Sequence, residues 1–157
     1  MSIIIALGSN RPHGRHGPPV RVIEAAIDAL AEDGIRPVRR SRIIETPPLG
    51  PSTRRYANAV ISVETNLPPE ALLDALHRVE DSFGRKRQRR WGARVLDLDL
   101  IAYDQEVRGA GRLQLPHPQM SLRLFVLGPM LEVAPTWRHP ILRLTVRQMH
   151  ARLTRRL

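Results

Sequence analysis

Arg94-Val95-Leu96-Asp97-Leu98-Asp99-Leu100 alternates apolar and acidic residues from Leu96 onward. A period of two is that of a β-strand, whose successive side chains point to opposite faces. Leu96, Leu98 and Leu100 then share one face and Asp97 and Asp99 the other, and the spacing predicts a strand over about 95–103. Upstream, Pro68-Pro69-Glu70 opens a helical pattern carrying Leu72, Leu76, Val79 and Phe83, closed by Gly84. Before it, residues 57–65 read as a strand with Ala59, Ile61 and Val63 on one face, and residues 36–46 as another. Val20, Ile23, Ile27 and Leu30 recur at helical spacing, with Gly34 at the C-cap position. Residues 3–7 form an unbroken, largely β-branched apolar run that stops at Gly8-Ser9-Asn10, which reads as a central strand buried on both faces.

The segments between are equally informative. Residues 11–19, rich in Pro, Gly and His, read as a loop, as do 85–94 and 104–121, the last with a short extended piece near 113–115. Pro116, Pro118, Pro129, Pro135 and Pro140 restrict the C-terminal third to short helices. Strands and helices alternate without the cadence of a parallel sheet, so the expected class is α+β, helices layered on a mainly antiparallel sheet, in one domain over 1–157.

The composition narrows the function. With 42% apolar and 25% charged residues, the 157-residue chain can build one packed core. The net charge is +10, and of 25 basic residues only Lys86 is a lysine. Arginine suits two-pronged recognition of phosphate and carboxylate, which points to a polyanionic partner. The absence of cysteine excludes disulfide scaffolds, thiolate zinc sites and cysteine nucleophiles. No apolar run is long enough to span a membrane and no leader pattern opens the chain, so a cytoplasmic protein without membrane association is expected. The common phosphate loop, the dinucleotide fingerprint, the zinc helix motif and the nucleophile elbow are all missing.

The chemistry centres on Asp97 and Asp99. Their backbones lie roughly 6–7 Å apart on one strand face, and two charged carboxylates there repel by roughly 2–3 kcal/mol at an effective dielectric near 20. A hard divalent cation between them turns that repulsion into affinity, and oxygen ligands favour magnesium. On its own such a pair is commonly a solvated strand face. Here Arg85, Lys86, Arg87, Arg89, Arg90 and Arg94 immediately precede it, and cations beside a magnesium site are what a bound polyphosphate requires. Thr46-Pro47-Pro48-Leu49-Gly50-Pro51 is a stiff loop with exposed carbonyls, read by itself as a sharp strand end. Tyr56 and Asn58 share a face beyond it, an aromatic plate beside an amide that suits a heteroaromatic ring. His117 sits between two prolines, whereas His13 and His16 read as solubilising loop residues and Phe83 as core.

Gly8-Ser9-Asn10, Thr46-Pro47-Pro48-Leu49-Gly50, Tyr56, Asn58, Gly84-Arg85-Lys86-Arg87, Arg90-Trp91-Gly92-Ala93-Arg94, Leu96-Asp97-Leu98-Asp99 and Pro116-His117-Pro118 together resemble the 6-hydroxymethyl-7,8-dihydropterin pyrophosphokinase family. The motifs run in the family's order over nearly the whole chain. The resemblance implies a ferredoxin-like fold and transfer of pyrophosphate from ATP to the pterin hydroxymethyl group, releasing AMP, in folate biosynthesis. It implies two magnesium ions on Asp97 and Asp99. Arg85 and Arg94 would stabilise the moving pyrophosphate, supported by Arg87 and Arg90. Thr46, Pro47, Pro48, Leu49 and Asn58 would meet the pterin edge, Tyr56 and Phe125 its two faces, and Trp91 both substrates. His77, Glu80, Leu100, Arg112, Leu113, Gln114, His117 and Arg123 would line the ATP site. The chain departs from the family pattern at Arg11–His16, and has Ala93 where proline is usual, His77 where glutamine and Gln114 where threonine is common.

Other classes remain as alternatives. A basic RNA-binding module would explain the charge, but no aromatic-rich strand offers base stacking and the aspartate pair repels phosphate unless a metal intervenes. A non-catalytic nucleotide-binding relative is disfavoured by the intact aspartates and arginines. The expected state is a monomer acting on small molecules, with no nucleic-acid partner, and Arg143, Arg147, Arg152, Arg155 and Arg156 read as a solvated helix face.

Overall fold

The apolar run at the N-terminus forms the middle of a sheet, and its neighbours follow from it. In the computed structural model, which describes residues 2–46, 55–84 and 95–157, β1 (Ile3–Ser9) pairs on one side with β4 (Tyr56–Glu64) and on the other with β5 (Asp97–Tyr103). β2 (Arg36–Arg40) and β3 (Ile44–Thr46) both pair with the far edge of β4, giving the order β2-β4-β1-β5, and every pairing is antiparallel. With β2 and β3 counted as halves of one interrupted strand, and with α1 (Pro19–Glu32) and α2 (Pro69–Ser82) between strands, the chain traces the βαββαβ path of a ferredoxin-like fold.

Each face of the sheet has its own helical layer. Val22, Ile23, Ile27 and Leu30 of α1 and Leu72, Leu76 and Val79 of α2 pack on Ile3, Ile5, Leu7, Leu98 and Leu100. α3 (Leu124–Val133) and α4 (Val146–Thr154) cover Ile4, Val60, Ile101 and Ala102 on the opposite face. Proline opens both long helices, where its missing N–H costs nothing. α4 instead begins with a capping box, Thr145 Oγ1 accepting from Gln148 N while the Gln148 side chain accepts from Thr145 N. Its Arg147 and Arg152 are exposed.

Four local expectations needed correction. The first strand runs on through Gly8 and Ser9, because pairing with Asn58 and Ala57 outweighs the weak strand preference of these residues. Residues 36–46 form two strands. Ser41 N donates to Val60 O and Ser41 Oγ accepts from Val60 N, both at 2.9 Å, so a hydroxyl replaces a backbone carbonyl in the ladder and interrupts the strand. The extended piece near 113–115 reduces to one bridge between Leu115 and Arg108. His13 and His16 do more than face solvent: their rings contact each other and Phe83, with centroids 4.8–5.9 Å apart, tying the loop after β1 to the end of α2.

A register shift in β5 completes the layout. Ile4 opposes Ala102 but Ile5 opposes Leu100, so Ile101 is an extra residue. Leu98 and Leu100 therefore face the α1/α2 layer while Ile101 and Ala102 both join the α3/α4 layer.

Candidate active site

Antiparallel register places residues from four strands in rows on the α3/α4 face. Asp97 lies opposite Gly8, Gly8 opposite Asn58, and Asn58 opposite Ile44. On one side of this row Asp99 lies opposite Ala6 and Ala6 opposite Val60, and on the other side Tyr56 lies opposite Thr46. The apolar cluster under α3 and α4 gathers around Ile4, Val60 and Ala102, leaving the aspartate end of the face open. Gly8 keeps the row shallow, since a Cβ there would lie 3.2 Å from Asn58 Oδ1.

Above this floor is a cavity of about 570 Å³, lined by Gly8, Ser9, Asn10, Thr46, Tyr56, Asn58, Asp97, Asp99, Arg123 and Phe125 among others. Tyr56 and Phe125, both in this wall, are 40% and 49% exposed. The Arg123 guanidinium stands 5.5 Å from the Phe125 ring centre and donates to Gln119 Oε1 at 2.7 Å. One buried side-chain atom among the described residues has no hydrogen-bond partner, Asn10 Oδ1, in a residue of this wall.

A second cavity, of about 360 Å³, opens at the outer edge of β5, between α2 and the segment 111–118. Its walls include His77, Glu80, Leu100, Arg112, Leu113, Gln114 and His117, and again Asp97 and Asp99. Arg108 pairs with Glu70 at 2.8 Å and Arg112 with Asp74 at 2.6 Å, fastening the outer wall to α2. Both ion pairs are largely exposed and so worth little individually. His117 N donates to Ile101 O at 2.8 Å, following a cis Leu115–Pro116 bond. His117 Nδ1 accepts from Gln119 N at 3.2 Å, so the neutral ring carries its proton on Nε2. Burial holds this imidazole below its ordinary pKa, opposed by the Asp99 carboxylate and reinforced by Arg123.

The two cavities thus meet at Asp97 and Asp99. Among the described residues no group of three carboxylate or imidazole ligands forms a closed metal cage. Two carboxylates with room for substrate oxygens are the usual donor set for magnesium, so the residues present fit that ion.

The expected site residues divide between the two cavities. Thr46, Tyr56, Asn58 and Phe125 line the larger, and His77, Glu80, Leu100, Arg112, Leu113, Gln114 and His117 the smaller. Arg123, expected with the nucleotide group, lines the larger cavity beside Phe125. Pro47, Pro48, Leu49, Arg85, Arg87, Arg90, Trp91 and Arg94 lie outside the described residues. Ala6, Leu73, Gly111, Pro118 and Val126 also contribute walls, and no chemical feature of their side chains announces this in the sequence.

The family model described as 7,8-dihydro-6-hydroxymethylpterin-pyrophosphokinase matches residues 4–135. The chain belongs to this family. A 2-amino-4-hydroxy-6-hydroxymethyldihydropteridine pyrophosphokinase of Haemophilus influenzae is 42% identical over 132 residues, covering 83% of this chain and 79% of that one. Its counterpart in Pseudomonas aeruginosa is 40% identical over 140 residues, 88% and 83% of the two chains. The fold is also that of the solved Plasmodium falciparum HPPK-DHPS bound to pteroate, with a TM-score of 0.75 at 12% identity. That match covers 99% of this chain and 42% of the Plasmodium chain, so this chain spans less than half of that protein.

Proposed function

We propose that the larger cavity takes the pterin and the smaller one ATP, and that Asp97 and Asp99 hold the metal between them. The chain is a pyrophosphokinase that transfers pyrophosphate from ATP to 6-hydroxymethyl-7,8-dihydropterin in folate biosynthesis. The pterin hydroxymethyl oxygen attacks the β-phosphorus, the bond from that phosphorus to the oxygen bridging to the α-phosphate breaks, and AMP leaves with the bridging oxygen. The hydroxyl proton is lost as the new bond forms. The observation that supports the assignment is the wall the two cavities share at Asp97 and Asp99, where a phosphate chain held in one would meet the reacting group of a ligand held in the other.

Recognition follows from the lining. The exposed Tyr56 and Phe125 offer stacking to a flat heterocycle, and Asn58, Thr46 and the unpartnered Asn10 Oδ1 offer polar contacts for its edge. In the smaller cavity His117 presents its Nε2 proton as a donor to the nucleotide. Magnesium, two ions in this reading, neutralises phosphate charge when bound to Asp97 and Asp99. Arg85 and Arg94, with Arg87 and Arg90, carry the remaining charge stabilisation, and Trp91, Pro47, Pro48 and Leu49 contact substrate. The protein works in the cytoplasm, where its substrates are small molecules.

The test is to incubate the protein with ATP, magnesium and 6-hydroxymethyl-7,8-dihydropterin and to follow nucleotides by chromatography. The expected result is AMP formed only when the pterin is present. ADP in its place would mean transfer of the terminal phosphate, and no turnover would overturn the reading.

A further inference from the structure

Among the described residues Glu80 is the one acidic side chain that is buried, with 3% of its surface exposed, and it belongs to the wall of the smaller cavity. Its Oε2 accepts a hydrogen bond from Leu98 N at 2.8 Å. Leu98 is the residue between Asp97 and Asp99, and β5 is the outer strand of the sheet. Alternate residues of such a strand turn their N–H away from the ladder, and Leu98 is one of these. Without Glu80 that amide would be buried beside α2 with no acceptor from a neighbouring strand.

A charged acceptor makes a stronger bond than a neutral one, and burying a carboxylate is costly unless its bonds are well made. Among the described residues Glu80 and the two aspartates do not gather into a three-ligand metal group. Its Oε2 bonds to backbone at the centre of the Asp-Leu-Asp triplet. The Leu98 N–H belongs to the peptide that joins Asp97 to Leu98, so a shift of that plane would turn the Asp97 Cα–Cβ direction and change its separation from Asp99.

We propose that Glu80 is a positioning residue: by fixing the Leu98 amide it sets the aim of the Asp97 carboxylate and its separation from Asp99, and so the affinity and placement of the divalent cation. The proposal rests on the reading of Asp97 and Asp99 as metal ligands. Groups that orient metal ligands without touching the metal carry a known share of affinity and rate.

The test compares Glu80→Gln, Glu80→Asp and Glu80→Ala in the full-length protein, using Mn2+ titration by electron paramagnetic resonance in the presence of a non-transferable methylene analogue of ATP. Glu80→Gln keeps an oxygen acceptor at the same reach and stays within a few-fold of wild type. Glu80→Asp keeps the charge but falls one methylene short of Leu98 N. With Glu80→Ala it loses about 10–100-fold in Mn2+ affinity, and kcat falls while the pterin KM holds. Analogue binding in excess chelator, and the fold by circular dichroism, separate this role from two others. Equal loss of analogue binding without metal would make Glu80 a direct nucleotide contact and overturn the proposal. Full Mn2+ affinity in Glu80→Asp would make it a charge effect, and the same in both Asp and Ala variants would make it a structural residue; either overturns it. If Glu80→Ala does not fold, the opposed expectations for Gln and Asp still decide. Absence of AMP formation by wild type would strike the functional reading, while the Mn2+ order would still report on Glu80.

Discussion

The two faces of the sheet are treated differently by the same strands. On the α1/α2 side, Leu98 and Leu100 of β5 meet Ile5 and Leu7 of β1 under two helices of 14 residues each, and the face is closed. On the other side the covering helices have 10 and 9 residues and pack over Ile4, Val60, Ile101 and Ala102. The ends of β1 and β5 carrying Gly8, Asp97 and Asp99 stay uncovered there. One face is closed over a core and the other keeps an open shelf, the one proposed for substrates, with the alternation of a single strand assigning leucine to one and aspartate to the other.

The strongest way to break this contrast is to substitute on both faces of β5. Asp97→Ala or Asp99→Ala should lower kcat by at least about 10²–10³-fold, with a melting temperature close to wild type. Leu98→Ala, between them, should instead remove about 2–5 kcal/mol of stability by opening a cavity in the closed face. Urea denaturation and AMP formation on the same three proteins check the division. An aspartate variant that unfolds, or one that turns over normally, would end the assignment of roles by face.

The contrast was legible in the sequence because it needs only a period of two. The alternation of Leu96–Leu100 placed both aspartates on one face, and the apolar run at 3–7 placed the central strand. What escaped depends on pairing across the sheet. Gly8 has no side chain to announce a role, and only the register shows it lying between Asp97 and Asn58. The break at Ser41 has no periodic signature, since it is made by one hydroxyl bonding to Val60. Glu80 came from family resemblance, yet a local signal existed. It follows Leu73 by seven residues and Leu76 by four, a carboxylate on the buried stripe of an amphipathic helix. The C-terminal arginines on α4 are exposed as expected, and nothing in the structure gives them a further task.

Gly8→Ala sharpens the comparison within the open face. The added Cβ, 3.2 Å from Asn58 Oδ1, forces the amide to give way by a few tenths of an ångström. The pterin KM should rise several-fold, while the KM for ATP and the melting temperature change little, because the smaller cavity and the closed core are not touched. An equal rise for both substrates would show that Gly8 shapes the shared aspartate wall rather than the pterin side alone.

The smallest effect separates the covered part of the α3/α4 layer from the catalytic shelf by pH. His139 is buried beside Trp137, and its Nδ1 accepts from Ile141 N and Leu142 N at 3.2 and 3.1 Å. Burial lowers its pKa below the ordinary histidine value, so the unfolded chain takes up this proton at a higher pH than the folded one. The stability contributed by the neutral ring is complete above the unfolded pKa of about 6.5 and is lost as pH falls through the lower folded value. His117 is shifted the same way by burial but lines the smaller cavity, so it adds a second acid-sensitive contribution. His139→Asn offers an amide oxygen to the same turn and cannot titrate. Urea midpoints measured between pH 7.5 and pH 5 should fall less steeply for this variant than for wild type, with AMP formation at pH 7.5 unchanged. His117→Asn should flatten the same curve but raise the KM for ATP, because its ring lines the cavity proposed for ATP while that of His139 faces the core. Identical slopes for wild type and His139→Asn would show that the buried turn does not couple protonation to folding.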